Sequence, residues 1–130
     1  MDSFFTKLCM ISLSGLKYKV VITRVLFIGL YSEDGLQGLE SSNLAKRRDA
    51  AASIAKTAGG EFFDLMYLQG AYDMAALLEL LNIEAASGLL KAVTDSGAWE
   101  EMMMFLEFDL DKGLDAINAV KSSYKAPGKD

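Results

Sequence analysis

The sequence contains no histidine and only one cysteine, Cys9, among its 130 residues. Histidine is the usual general base and a common zinc ligand, and it is the side chain that normally titrates near neutral pH. Its absence excludes histidine-dependent triads and dyads, zinc sites with histidine ligands and haem held by histidine. One cysteine cannot form an internal disulfide, so we expect the chain to reside in the cytoplasm.

Basic residues are also in the minority. Thirteen Lys and Arg stand against eighteen Asp and Glu, a formal net charge of −5. This balance disfavours nucleic acid and anionic membrane surfaces as partners. The one basic cluster, Lys46-Arg47-Arg48, has no interleaved aromatic residue that could stack on bases, and we expect it to form a solvated helix face. No glycine-rich phosphate loop and no clustered set of metal-binding acids occurs, so we expect no cofactor and no metal ion.

The composition is that of an ordinary globular protein, with 52% hydrophobic and 24% charged residues. The length suits one domain with one core. We expect residues 1–19 to form an N-terminal extension, residues 20–124 a single α+β domain and residues 125–130 a flexible tail.

Strand and helix patterns alternate along this domain. Strands are predicted at Val20–Tyr31, Glu61–Leu68, Ala71–Leu80 and Trp99–Asp109, and helices at Leu44–Ala58, from Ile83 to near Ser96, and at Leu110–Tyr124. Asn43 and Asn82 are expected to cap the first two helices, and a two-residue turn at Gln69-Gly70 is expected to join the middle strands. The order β-α-β-β-α-β plus a terminal helix predicts a ferredoxin-like α+β fold, an antiparallel sheet with two helices on one face.

Alternation along the strands predicts one sheet face against the helices and one open face. On the helix side we place Phe63, Leu65, Tyr67, Tyr72, Met74, Ala76 and Leu78, with Met102, Met104, Leu106 and Phe108 of the last strand. On the open side we place Phe62, Asp64, Met66, Leu68, Asp73, Ala75, Leu77 and Glu79, with Glu101, Met103, Phe105 and Glu107. The open face is too apolar to remain in water without consequence, and it is the predicted functional surface.

The segment Gly70-Ala71-Tyr72-Asp73 resembles the signature of the GYD-domain family, small proteins named for a Gly-x-Tyr-Asp motif. The resemblance extends from about Phe27 to Val120. Its matching residues are Gly29-Leu30-Tyr31-Ser32, Gly35-Leu36, Arg47, Ala50, Ala51, Ala55, Gly59-Gly60, Tyr67, Leu68 and Glu79. It departs from the family pattern at Leu81 and over Glu100–Met104. The resemblance implies a ferredoxin-like protein that assembles as a dimeric α/β barrel or higher oligomer, in a family whose activity is largely undefined.

Four side chains are candidate ligand contacts: Tyr31, Tyr72, Asp73 and Glu79. Each also has a structural explanation, because an Asp near a turn accepts hydrogen bonds from main chain or pairs with an arginine, and strand tyrosines pack across strands. We assign none of them a catalytic role in the preferred hypothesis, a homo-oligomeric module whose open face forms the subunit interface and offers a place for a small organic molecule.

Two other hypotheses stay open at this point. One is a cofactor-free isomerase or monooxygenase, with Tyr72, Asp73 or Tyr31 handling protons, for which analogy between folds is the only warrant. The other is a protein-interaction factor that uses the acidic surface.

Overall fold

A computed structural model describes residues 10–13, 16–19 and 22–130 of the chain. Two short strands, β1 (Met10–Leu13) and β2 (Leu16–Lys19), pair as a separate antiparallel sheet. The main sheet consists of β3 (Thr23–Tyr31), β4 (Glu61–Tyr67), β5 (Met74–Leu80) and β6 (Trp99–Leu106). The helices are α1 (Glu33–Leu39), α2 (Leu44–Thr57), α3 (Ile83–Thr94) and α4 (Leu110–Ser123). In this described part, no helix is both long and apolar enough to cross a membrane.

The main sheet has the strand order β4-β5-β3-β6, and every neighbouring pair is antiparallel. Together with α2 and α3, these strands follow the chain order β-α-β-β-α-β, with α4 after the last strand. The predicted α+β architecture of ferredoxin-like type is therefore confirmed. The predicted start of the first strand at Val20 lies outside the described residues.

Both helices that cover the sheet begin at the predicted asparagine caps. The Asn43 side chain accepts a hydrogen bond from the Lys46 amide at 2.9 Å, and the Asn82 side chain accepts one from the Ala85 amide at 2.7 Å. The core lies between these helices and one face of the sheet. Its buried members are Val25, Phe27, Leu65, Met74, Ala76, Leu78 and Leu80 of the strands, Ala55 of α2 and Ala86 of α3.

A short helix, α1, occupies a stretch that the sequence analysis did not assign to a helix. Ser32 caps it, because the Ser32 hydroxyl accepts a hydrogen bond from the Gly35 amide at 3.1 Å. Acidic residues in the first turn, Glu33 and Asp34, also suit a helix N-terminus. The two glycines of this segment obscured the helix, since glycine is a poor helix former.

A β-bulge in β4 reverses two predicted side-chain positions. Phe62 pairs with Leu78 and Asp64 pairs with Leu77, which leaves Phe63 as the extra residue. Phe62 consequently packs against the core, while the Phe63 ring lies 5.6 Å from Cζ of Arg24. The predicted faces of Phe62 and Phe63 are wrong because one inserted residue shifts the alternation by one step.

The hairpin loop is longer than the predicted two-residue turn. The Leu68 amide donates to the Asp73 carbonyl at 2.7 Å, which leaves residues 69–72 as the loop between the strands. The strands are therefore paired two residues away from the expected register, with Tyr67 opposite Met74. A displacement of two residues preserves the faces, so the helix-side positions predicted for Leu65, Tyr67 and Met74 are confirmed.

Tyr72 departs from the prediction because it belongs to this loop. Its hydroxyl lies 3.3 Å from Oε1 of Glu101 and 3.8 Å from Sδ of Met103. Both belong to β6 on the open side of the sheet, so the predicted core position of Tyr72 is wrong.

The last strand ends earlier than predicted. Met102 and Met104 pack against the core as expected, but β6 stops at Leu106. Phe108 is 67% exposed and lies against Gly113 of α4 instead of facing the covering helices. The reason is Asp109, whose side chain accepts a hydrogen bond from the Lys112 amide at 3.1 Å and so begins α4.

Candidate functional site

The end of β3 brings three aromatic rings together on the helix side of the sheet. A register shift between Leu30 and Tyr31 interrupts the pairing with β6. There the Tyr31 ring stacks on Trp99 with centroids 4.0 Å apart, and the Tyr67 ring follows at 6.3 Å. Gly29 makes room for this stack, since a Cβ at this position would lie 2.6 Å from the Trp99 ring.

The Tyr31 hydroxyl is the polar centre of this aromatic group. Its Oη lies 2.9 Å from Oη of Tyr67, and either hydroxyl could donate. Burial raises the pKa of Tyr31 above its ordinary value, and the interaction with Tyr67 raises it further, while the nearby Arg47 acts in the opposite direction. Tyr31 therefore stays protonated at neutral pH, where it can donate a hydrogen bond but is a poor base.

Asp73 attaches the hairpin loop to this end of β3. Its amide donates to the Gly29 carbonyl at 2.9 Å, and its Oδ2 accepts a hydrogen bond from the Tyr31 amide at 3.0 Å. The carboxylate thus bonds to the main chain of a neighbouring strand, and it pairs with neither Arg24 nor Arg47. This geometry gives Asp73 a positioning role for Tyr31.

Tyr72 and Glu79, the other two predicted candidates, lie elsewhere. Partial burial and the Glu101 carboxylate raise the pKa of the Tyr72 hydroxyl on the open side of the sheet. Glu79 is 1% exposed, and its Oε1 lies 3.2 Å from Nη2 of Arg24. Arg24 and Tyr31 are seven residues apart along β3, or about 23 Å, so Glu79 cannot act together with the aromatic group.

Two adjoining cavities lie beside the aromatic group, on the helix side of the sheet. The inner cavity, of about 440 Å³, has walls from α2, α3 and the covered face of the sheet. The outer cavity, of about 380 Å³, is bordered by α1 and the end of β3. Both are lined by Arg47, Ser96, Ala98 and Trp99, so we treat them as one cleft, here called the Arg47 cleft. Their volumes are typical of small-molecule sites, which occupy about 300–1,000 Å³.

Arg47 is the residue that the sequence analysis missed. Its neighbours behave as expected: Lys46 is exposed, and Arg48 is 44% exposed and lies 3.2 Å from Asp64. Arg47 instead borders the cleft, where its Nε is buried and, among the described residues, has no hydrogen-bond partner. The predicted solvated face is therefore wrong for Arg47.

A sequence signal for this position existed. Arg47 precedes Ala51 by four residues and Ile54 by seven, a spacing that places all three on one stripe of α2. A charged residue on an otherwise apolar stripe is a candidate for a cleft or a buried ion pair.

The described residues contain no group of three acidic or cysteine side chains that could hold a metal ion. A comparison of the chain with models of known protein families finds no match, and a comparison with curated proteins finds none either. The resemblance to the GYD-domain family therefore stays a prediction.

Proposed function

We propose that this chain functions as a homo-oligomeric module that binds a small organic molecule. Of these two parts, the resemblance to the GYD-domain family implies the oligomer. The observation that carries the oligomer is the apolar stripe of α4. Four residues at helical spacing, Leu110, Leu114, Ile117 and Val120, are 45–63% exposed. No residue of α4 is buried, so this amphipathic helix has an apolar face without a covering layer among the described elements.

The open sheet face supports the same proposal. Met66 and Phe105 lie on that face and are 51% and 48% exposed. A second copy of the chain would cover both apolar surfaces, because a two-fold interface presents the same patches from each subunit. Stable homodimer interfaces are rich in such apolar side chains.

Light scattering coupled to size-exclusion chromatography tests the oligomer. We expect a mass that is a multiple of 14.2 kDa at micromolar concentration. Met66→Lys on the open face and Ile117→Lys on α4 should each shift the protein toward the monomer. Ile83→Lys is the matched control, because Ile83 is 53% exposed but belongs to neither surface. A wild-type protein that is monodisperse at 14.2 kDa would overturn the oligomer.

The second part of the proposal concerns where the small molecule binds. The alternation along the strands favours the open face, but a partner subunit would cover this face in the oligomer. The Arg47 cleft lies on the other side of the sheet and both of its cavities are open to solvent, so it is the better supported position. Cytoplasmic residence belongs to the same proposal, and the single cysteine supports it. Native mass spectrometry of freshly purified protein tests for a retained molecule.

A further inference from the structure

The inner cavity of the Arg47 cleft combines apolar walls with one charge. Its floor is the covered face of the sheet, including Phe27 and Leu65, and its sides include Ile54 and Leu89. Arg47 is the one charged side chain among the described residues that line it. A molecule in this cavity would therefore meet apolar surface on most sides and a guanidinium at one end.

The Arg47 side chain interacts with the Tyr31 hydroxyl, but one donor of its guanidinium lacks an acceptor among the described residues. Its Nε is shielded from solvent and bonded to no described group, and in the described part of the chain no carboxylate lies within ion-pair distance of Arg47. Buried polar groups in folded proteins nearly always have a hydrogen-bond partner. The nearby Tyr31 hydroxyl does not supply one to Nε. A ligand oxygen would satisfy this donor.

We propose that the Arg47 cleft binds a small monocarboxylic acid with an apolar body, its carboxylate on the Arg47 guanidinium and its body in the inner cavity. The inference rests on the proposed small-molecule function, for which it names the ligand class. Guanidinium and carboxylate match in geometry, since two parallel N–H groups can donate to the two oxygens.

The residues that line the two cavities disfavour anions with more than one charge. A phosphate or dicarboxylate brings a second negative charge and a large hydration shell, which the apolar inner walls cannot replace. The outer cavity contains Asp34, whose carboxylate would repel a second anionic group at that end. A neutral molecule of the same shape would fit but would leave the guanidinium without a charged partner.

Isothermal titration of the wild-type protein near neutral pH tests this ligand class. The probes are phenylacetate, hydrocinnamate and octanoate, the primary amide of each, and inorganic phosphate. We expect at least one acid to bind, its amide to bind about tenfold more weakly or worse, and phosphate not to compete. An amide that binds as tightly as its acid, or phosphate that displaces the acid, would overturn the carboxylate but leave the small-molecule function standing.

Substitutions locate the site. Arg47→Met retains the apolar stem and should weaken acid binding at least about tenfold, whereas Lys46→Met removes the same charge from an exposed neighbour and should change little. Ala92→Trp narrows the inner cavity from the exposed side of α3 and should also weaken binding, so it serves as the test if the Arg47 variant does not fold. Full affinity in either cleft variant would contradict the proposal. If no acid binds at about 1 mM, this inference fails, whereas the small-molecule function fails only if native mass spectrometry also finds no retained molecule.

Discussion

Replacement of Asp73 by alanine should destabilise the protein, because it removes the carboxylate that accepts a hydrogen bond from the buried Tyr31 amide at the end of β3. Oδ2 of Asp73 lies 3.0 Å from the amide of Tyr31, and Tyr31 is 7% exposed. A hydrogen bond that involves a charged group contributes about 1.5–3 kcal/mol, and a buried donor without an acceptor carries a similar cost. We therefore expect Asp73→Ala to lower the free energy of unfolding by about 2 kcal/mol.

Asp73→Asn distinguishes the geometry from the charge. The asparagine carbonyl can still accept the Tyr31 amide at the same distance, and only the charge-assisted part of the bond is lost. We expect Asp73→Asn to lower the free energy of unfolding by about 1 kcal/mol or less.

Urea denaturation followed by the fluorescence of Trp99 measures both effects. Trp99 is the single tryptophan of the chain, and it stacks on Tyr31. Because the slope for small proteins is about 1–3 kcal/mol per molar urea, a loss of about 2 kcal/mol should move the midpoint by about 1 M with little change in slope.

Asp95→Ala is the matched control for Asp73→Ala. Its carboxylate forms an ion pair with Lys91 at 2.6 Å but is 59% exposed, so we expect a loss below about 1 kcal/mol. If Asp73→Ala costs no more than this control, the positioning role of Asp73 is refuted. If Asp73→Asn costs as much as Asp73→Ala, the charge matters more than the bond to Tyr31.

Three further substitutions test the surroundings of the cleft and the opposite end of the sheet. The pKa of Tyr31 is raised in the folded state, so its contribution to stability is complete below the ordinary tyrosine value of 10.0 and is lost as the pH rises through the folded value. The urea midpoint of the wild-type protein should therefore fall with pH above about 10, and in Tyr31→Phe this fall should be smaller. Gly29→Ala should destabilise the fold by about 1–3 kcal/mol and alter the native emission of Trp99, because the added methyl would lie 2.6 Å from the indole ring. Arg24→Met should cost about 3 kcal/mol, measured by the same denaturation, since it removes a partner from the buried carboxylate of Glu79.

Each of these substitutions has a control elsewhere in the chain. Tyr124→Phe changes a tyrosine that is 67% exposed and should leave the alkaline decline as it is. Gly88→Ala adds a methyl group in open space on α3 and should be neutral or slightly stabilising. Arg48→Met removes a half-exposed arginine from a surface ion pair and should cost below about 1 kcal/mol. Equal effects in a variant and its control would contradict the reasoning for that pair.

Much of the fold follows from local sequence signals. The helix starts at Asn43 and Asn82 were predictable because a capping side chain acts within its own turn. The bulge at Phe63 was not predictable, because an extra residue in one strand depends on pairing with the partner strand and cannot be seen in the alternation of side chains. The helix after Ser32 was not predicted because its two glycines favour a loop, and a serine is as common in a turn as at a helix N-cap.

The candidate site was only partly predictable for a related reason. Tyr31 and Asp73 were both identified from the sequence, but their contact joins residues 42 positions apart and depends on the hairpin register. Arg47 was assigned to solvent by its charged neighbours, because a run of basic residues is usually a solvated face. Its position on the apolar stripe of α2 follows from the sequence spacing, but only the tertiary arrangement of the two covering helices makes that stripe the wall of a cleft.

The segments Gly29–Tyr31 and Gly70–Asp73, which are distant in the sequence, meet in three dimensions. Asp73 from the hairpin bonds to the Gly29 carbonyl and to the Tyr31 amide. Gly29 makes room for the Trp99 ring, which stacks on Tyr31 and borders both cavities that Arg47 lines. A change at Asp73 should therefore reach the cleft through the main chain of β3 and the aromatic stack, although the carboxylate itself lines neither cavity. We therefore expect Asp73→Ala to bind the acid more weakly than Asp73→Asn does. Both variants lose the charge, but only the asparagine keeps an oxygen that can accept the hydrogen bond from the Tyr31 amide.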